Sequence, residues 1–432
     1  FDEIYNLSER QVKSQGQSAN PNLSLTYTHK GRKPGDVFRI IGSLNYGYSQ
    51  NNRYFFQEFL YADHTPTGND STQQQLNDTW SHGHNIRVSY DKMLDNKKTF
   101  LSMGSVYNFT TSHILLNAAY LQKPADTLVK TDLLSNDFRF RQSINNLRFS
   151  VRQVFSEGFS ATIGINAEHT AIRFDLYKAK DGVFNNYWSW LPFANLNRSW
   201  KDKLNLSLAY RRTIRRPGIG EMNPSIDYGD PYNVRFGNPY LRPSMAHTFD
   251  LVAGKTKPKF YFNVGVGYNI IEDIYSQLRS LLPDGKTQIT WENINNRTEY
   301  EASTWSGYTI SRKLRINFSA SYTYNQYGLR ERTVNKYRNG GSFTSNLNSS
   351  FIPADVWNFT NSFTFNRFAN PQGSVRSNVS MNLGIQHKWL NKRLITTINF
   401  IDPFTPQKNR SFTYAPNFNV ETYSSTQTRN VR

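Results

Sequence analysis

Phe260-Tyr261-Phe262-Asn263-Val264-Gly265-Val266-Gly267-Tyr268-Asn269 decides how this chain folds. Phe260, Phe262, Val264, Val266 and Tyr268 take every second position, and from Tyr261 onward they alternate with Asn263, Gly265, Gly267 and Asn269. Successive side chains of an extended strand point to opposite faces, so this spacing makes a ribbon with one bulky apolar side and one small or polar side. Leu204, Leu206, Leu208 and Tyr210 repeat the pattern against Asn205, Ser207, Ala209 and Arg211. Leu314, Ile316, Phe318, Ala320, Tyr322 and Tyr324 repeat it against Arg315, Asn317, Ser319, Ser321 and Thr323. The same rhythm runs through Phe38, Ile40, Leu44, Tyr46 and Tyr48, through Val379, Met381, Leu383 and Ile385, and through Leu394, Ile398 and Phe400.

A β-sandwich alternates too, so the connections must discriminate. Very short polar turns (Ser156-Glu157-Gly158, Lys201-Asp202-Lys203, Lys257-Pro258-Lys259, Pro353-Ala354-Asp355, Leu390-Asn391-Lys392) take turns with long connections such as Tyr61 to Ser81 and Arg216 to Ser244. Short turns on one side and long loops on the other are the asymmetry of a membrane barrel; a sandwich distributes its loops less strictly. Trp200, Trp357 and Trp389 flank tight turns, the height at which a barrel carries its aromatic girdle. The expected fold is all-β, a transmembrane antiparallel up-and-down β-barrel forming a single domain over residues 1–432, with about eight tight turns and some sixteen or seventeen strands of the ~9–11 residues a tilted span needs.

Composition agrees. Of 432 residues only 37% are hydrophobic, but 15% are aromatic, with 26 Tyr and 30 Phe; a soluble core of this size is normally aliphatic-rich. There is no Cys, which excludes disulfides and thiolate metal sites. No apolar run reaches the ~20 residues of a spanning helix, so any crossing is made by strands. The net charge of +19 raises a nucleic-acid reading, but Lys and Arg recur at turns (Lys201, Lys203, Lys257, Lys259, Arg312, Lys313, Lys392, Arg393) and at inward strand positions. That distribution suits lipid headgroups or an anionic ligand, with no nucleic-acid partner.

The densest motif lies between Tyr187 and Leu251. Arg211-Arg212-Thr213-Ile214-Arg215-Arg216-Pro217 ends a strand, Asn223-Pro224 follows, and Gly237-Asn238-Pro239-Tyr240-Leu241-Arg242-Pro243 opens the returning one. This order resembles the barrel of TonB-dependent receptors and the related outer-membrane β-barrel family common in Bacteroidetes. Ile401-Asp402-Pro403-Phe404-Thr405 is similar to that family's Asp-x-Phe-Asn element, with Pro403 and Thr405 as departures. The resemblance implies a 22-stranded barrel for the intact protein, of which this chain lacks the plug, the first strands and the last strand. It implies the bacterial outer membrane as location, its lipid as surroundings, and the TonB complex as a partner acting through a plug that is absent here.

Chemistry is sparse. The histidines, His29, His64, His113, His169, His247 and His387 among them, show no ligand spacing, and the Gly265-x-Gly267 pair sits inside a strand rather than before a helix. Glu299 with Glu301 and Asp227 with Asp230 are the paired acids, without a nucleophile or a base to orient. No enzyme, metal or cofactor is expected. The expected function is uptake of a ligand too large for passive porins, such as a ferric siderophore, a glycan or a peptide, captured on long loops by Trp188, Trp190, Tyr228, Tyr232, Arg235 and Tyr240. Arg211, Arg212, Arg215, Arg216, Pro217, Asn223, Pro224, Gly237, Asn238, Pro239, Leu241 and Pro243 are expected to shape the loop or contact a plug. The alternative is a structural or interaction barrel, serving as a secretion accessory, an adhesin or the scaffold for a surface lipoprotein.

Overall fold

In lipid, a backbone N–H or C=O without a partner costs several kcal/mol, and between its two edge passes the chain meets that demand with one antiparallel ladder. The computed structural model describes residues 7–122, 125–132, 134–176, 182–200, 204–224, 226, 233–283, 285–328, 339–370, 372–403, 407–414, 419–426 and 430–431. The main sheet holds 22 strand segments, but several are successive pieces of one pass. Leu7–Ala19 and Asn22–Lys30 pair with the upper and lower halves of Val37–Leu60 and make a single edge pass interrupted at Asn20 and Pro21. Each later strand pairs with the one before it: Gln73–Met93, Thr99–Gln122, Asn136–Ser156, Phe159–Leu176, Gly182–Ser199 and Leu204–Arg215. Ser244–Lys257, Phe260–Glu272, Arg297–Thr309, Leu314–Tyr327, Gly340–Phe351, Trp357–Asn370 and Gly373–Trp389 continue the meander. Leu394–Ile401 and Gln407–Tyr414 both pair with Gly373–Trp389, as two pieces of the next pass. Among the described residues no pairing joins the first pass to the last.

The two faces differ as the alternation requires. Leu25, Ile163 and Val266 are 69%, 66% and 50% exposed, all on the apolar face. No second layer among the described residues covers that face, which separates this wall from a sandwich. Bulky groups stand opposite one another across it. Tyr210, Phe249, Tyr268, Tyr300 and Tyr324 form one transverse row through five strands, with the first three ring pairs 5.0, 6.3 and 5.4 Å apart. Near the short turns His387 lies between Trp357 and Trp389, at 4.1 and 4.0 Å. The opposite face carries Ser207, Asp250, Gly265, Gly267, Glu301 and Ser303, which line a shared hollow. The turn Leu390-Asn391-Lys392 is tight enough to hold all three residues at positive φ.

Three features differ from expectation. The 61–81 connection is mostly strand: Val37–Leu60 and Thr99–Gln122 run 24 residues each and Gln73–Met93 runs 21, far beyond the ~9–11 needed to span. At ~3.3 Å per residue the longer two reach ~80 Å, so this side of the wall projects well out of the hydrocarbon. Second, the Ile401–Asp402 element is a break in a pass. Asp402 has φ +47°, its N–H donates to Met381 O at 3.0 Å, and its Oδ1 accepts from Met381 N at 2.9 Å. Phe404 and Thr405 lie outside the described residues. Third, not all strand arginines point inward: Arg141, Arg173 and Arg212 share the outer face with the apolar residues of their strands.

Leu208→Arg on the apolar face is expected to lower the stability of the refolded barrel in phospholipid bilayers by about 2–4 kcal/mol, while Ser207→Arg on the opposite face stays within about 0.5 kcal/mol. Urea titration followed by heat-modifiable gel migration reads both.

Candidate functional site

The run Arg211 to Pro217 ends a strand, and alternation sends its arginines to different places. Arg211 faces inward, 3.4 Å from Asp250. Arg212 faces outward and donates to Trp190 O at 3.3 Å. Beyond the strand the chain turns into the mouth instead of away from it. Arg215 pairs with Glu221 at 3.3 Å and lies 4.8 Å over the Tyr275 ring. Arg216 pairs with Glu168 on the inner wall and donates through Nε to Thr170 Oγ1 at 3.1 Å. Both members of the Arg216–Glu168 pair are nearly buried, at 15% and 11% side-chain exposure. Burial pushes the Arg216 guanidinium down to about 10, so it stays charged at neutral pH and needs its carboxylate.

Pro217 is fully buried and leads into the one-turn helix Ile219–Met222, whose Glu221 side chain accepts from the Gly218 N–H. Met222 is completely buried against Phe138, Phe140, Ile172 and Phe174. Those four sit on even positions of their strands, the inner face shared with Asn146 and Glu168. Fully burying a Met side chain stabilises by about 1.5–3 kcal/mol, so the loop is packed into the mouth.

The returning half is stitched to this anchor. Gly237 N donates to Asn223 O at 2.6 Å and Asn238 N to Glu221 O at 2.8 Å. A Cβ at Gly237 would lie 2.6 Å from Asn223 N, Asn223 O and Glu221 O, which explains the glycine by close approach. Asn238 Oδ1 accepts from Tyr240 N at 3.0 Å, a local Asx turn around Pro239, and Leu241 is buried beneath it. Asn233–Arg235 then pairs in parallel with Thr287–Asn293, which is itself antiparallel to Tyr275–Leu281, giving a second, three-stranded sheet. Asn238 Nδ2 donates to Trp291 O at 3.0 Å, Asn293 bridges Arg242 and Asp273 backbones, and Tyr275 OH donates to Arg216 O at 2.8 Å. The far side of this sheet is held by Gln372, which accepts from Arg279 N at 3.0 Å and donates to Arg279 O at 3.3 Å. Burial first, then the charge of Arg235, holds the Arg279 guanidinium below its usual value. The assembly thus runs from Phe138 and Phe174 on one part of the wall to the Trp357–Asn370 hairpin on another, as a lid over the mouth.

Beneath the Arg216–Glu168 pair the inner wall forms a cavity of about 560 Å³. Arg39, Arg87 and Arg148 line it, with the carboxylates Asp91 and Glu168 and the amides Asn108, Asn146 and Asn166. Arg39 and Arg148 stand in one transverse row, separated by Ser89 and Gly104, whose small size makes the hollow. Among the described residues neither Arg39 nor Arg87 has a carboxylate partner; Arg148 lies 4.7 Å over the Phe193 ring.

The sequence-predicted residues separate accordingly. Arg235 and Tyr240 sit in the lid, with Tyr240 74% exposed. Trp188 and Trp190 lie in the strand Gly182–Ser199 and not in a loop. They face outward and stack at 6.4 Å, because position 188 shares its face with Leu196. Tyr228 and Tyr232, like Asp227 and Asp230, fall outside the described residues. Motif reading missed Glu168, Thr170, Tyr275 and Asn293 as lid partners and Arg39, Arg87 and Arg148 as a cluster. Strand phase gives the inward side of each arginine, but only the register between strands brings the three together.

A profile of the outer membrane protein beta-barrel family matches residues 29–432. Among solved structures, the ferric citrate transporter FecA in the unliganded form superposes with a TM-score of 0.62 at 13% identity, over 96% of this chain and 61% of that one. The siderophore receptor PiuA from Acinetobacter baumannii gives 0.57 at 10%, over 98% and 78%, and the ferric yersiniabactin uptake receptor FyuA from Yersinia pestis 0.53 at 10%, over 99% and 69%. At these identities the likeness is one of fold, and the chain spans less than two thirds of the ferric citrate transporter. A search of curated proteins finds no significant match.

Arg216→Ala leaves Glu168 buried without its cation and is expected to weaken lid docking by about 3–5 kcal/mol. Gly237→Ala forces the Asn223 turn open at a cost of about 1–3 kcal/mol. Amide hydrogen exchange over residues 216–243 should accelerate in both, with strand amides of 204–215 unchanged.

Proposed function

Because the chain belongs to the outer membrane protein β-barrel family, we propose that it is the barrel of a gated receptor that takes up a ligand too large for passive porins. The observation that carries this reading is the stitched lid standing directly over a polar cavity with three arginines. A permanently open pore has no use for a mouth closed by a buried ion pair and a packed Met222. A rigid scaffold has no use for lumenal cations such as Arg39 and Arg87, which lack a carboxylate partner among the described residues. Arg39, Arg87 and Arg148 favour an anionic ligand through charge-assisted hydrogen bonds, which puts a ferric siderophore ahead of a neutral glycan or peptide. Fold neighbours named for ferric citrate and ferric yersiniabactin support that class.

In this reading Arg235 and Tyr240 of the lid, with Tyr228 and Tyr232 of the same loop, meet the ligand first. Lid release then admits it to the arginines. Energy for release comes from the TonB complex acting through a plug domain, as the family resemblance implies. Trp188 and Trp190 face the lipid side and are assigned no ligand contact. The projecting strands of 24 residues favour a second reading, in which the wall above the membrane docks a surface lipoprotein and the barrel transports nothing.

Cells carrying the intact protein as their sole receptor are expected to accumulate a radiolabelled ferric tricarboxylate siderophore, and to stop when an uncoupler collapses the proton-motive force. Combining Arg39→Gln, Arg87→Gln and Arg148→Gln should cut uptake at low ligand concentration by more than about tenfold. Accumulation indifferent to both treatments would contradict the proposal, and a lipoprotein copurifying with a protein that accumulates nothing would favour the scaffold.

A further inference from the structure

The end of the wall that carries the short turns is strongly basic, and the uptake reading leaves that charge unexplained. An up-and-down meander sends every second connection to the same rim, and short turns mark the periplasmic one. Arg32, Lys97, Lys98, Lys259, Arg312 and Lys313 stand in these turns, all exposed, and none has a carboxylate partner among the described residues. The acids of the described short turns are few: Asp36, Asp95, Glu157 and Asp355. Asp95 already pairs with Lys33, and Asp355 lies 3.9 Å from Lys392. Lys97 and Lys392 hold φ of +54° and +71°, a left-handed conformation that glycine or asparagine adopts at less cost. Cations thus occupy tips where a small neutral residue would be the easier choice.

Strand phase separates two groups of cations near this rim. Lys92 and Lys255 stand opposite Leu101 and Leu204 on the apolar face, and Lys257 lies 5.9 Å over the Phe260 ring on that same face. From there a long side chain reaches a lipid headgroup while its stem stays on apolar surface. Arg152 and Arg315 take the other phase. Arg152 shares the inner face with Arg148 and Ser150, and Arg315 shares it with Asn317 and Ser319. Lys30 follows the outward Tyr27 and His29 and so faces inward too. All three are exposed. These inward residues and the turn tips look away from lipid, toward the periplasm. Successive short turns lie two strands apart, ~10 Å, so the rim presents spaced charges at fixed points and not one pocket.

We propose that the rim docks the anionic cell-wall polymer beneath the outer membrane, with peptide carboxylates of peptidoglycan on the turn cations. Spaced charges with no pocket between them suit a polyanion whose charges repeat along its length, and give a small anion nothing to fill. An anionic phospholipid is met from the outward face, by Lys92, Lys255 and Lys257. Carboxylates on a flexible peptide reach the tips and the inward positions, which a headgroup in the leaflet does not. Each contact is exposed and weak, so the docking gains its strength from many contacts at once and fades as salt is added.

The test uses the full chain, purified in detergent and co-sedimented with peptidoglycan sacculi at low salt. Binding is expected, and should weaken about tenfold or more when the carboxylates of the sacculi are amidated; this arm needs no variant. Combining Lys97→Gln, Lys98→Gln, Lys259→Gln, Arg312→Gln and Lys313→Gln should weaken binding to a similar degree, in a folded, heat-modifiable protein. Lys92→Gln, Lys255→Gln and Lys257→Gln together remove outward charge and should change sacculus binding by less than about twofold, while lowering attachment to phosphatidylglycerol vesicles. Uptake enters none of these readouts, so this proposal and the uptake reading fail separately. Amidated sacculi bound as well as untreated ones, a turn variant that sediments like the parent, or attachment to phosphatidylglycerol vesicles with none to sacculi would overturn it.

Discussion

The structure depends on a backbone constraint: where no water is at hand, every N–H and C=O of the spanning chain must find a partner in the neighbouring strand. Between the two edge passes one antiparallel ladder meets it, and the ladder fixes everything else. Strands pleat with a period of two, so a wall one strand thick has two chemically distinct sides. Tyr210, Phe249, Tyr268, Tyr300 and Tyr324 can then form a row on one side while Arg211, Asp250, Gly267, Glu301 and Thr323 hold the other. Interior glycines such as Gly104 and Gly265, a weakness in an ordinary strand, serve here to hollow the inner face.

The inner face makes a closed mouth possible. A lid needs a surface that rewards docking, and the wall supplies one near its top, where the inward positions change from Arg148 and Asn146 to Ile172, Phe174, Phe138 and Phe140. Met222 fills that apolar patch. Arg216 and Glu168 make the docking specific: each is nearly buried, and either one without the other is an uncompensated charge. Gly237 and Asn238 bring the returning chain onto the same anchor, and the small three-stranded mixed sheet carries the closure across to Gln372.

How much of this was legible before any coordinates follows from what sequence encodes locally. Alternation gave the strands, the short turns and the two faces, because each is set by neighbours within a few residues. The loop of 216–243 was recognisable as a punctuated element, since Pro, Gly and Asn act on their own backbone. Its direction was not, because folding into the mouth is decided by Glu168 and Phe174, residues far away in the chain. The lumenal arginines illustrate the same limit: Arg39, Arg87 and Arg148 each lie in a strand of known phase, but the strand register that groups them is a tertiary property. Trp188 and Trp190 were read as loop aromatics because Tyr187 to Pro192 is rich in them. The strand there continues to Gly182, and the pleat turns both rings outward.

Since the chain has no cysteine, single cysteines placed one at a time along 204–215 can report which way each position faces in a lipid bilayer. A bimane label at Leu204, Leu206, Leu208 and Tyr210 should be quenched by lipid-borne nitroxide and shielded from iodide, with Asn205, Ser207, Ala209 and Arg211 showing the reverse. Equal access of iodide to both sets would contradict a wall with hydrocarbon on one side and an aqueous interior on the other.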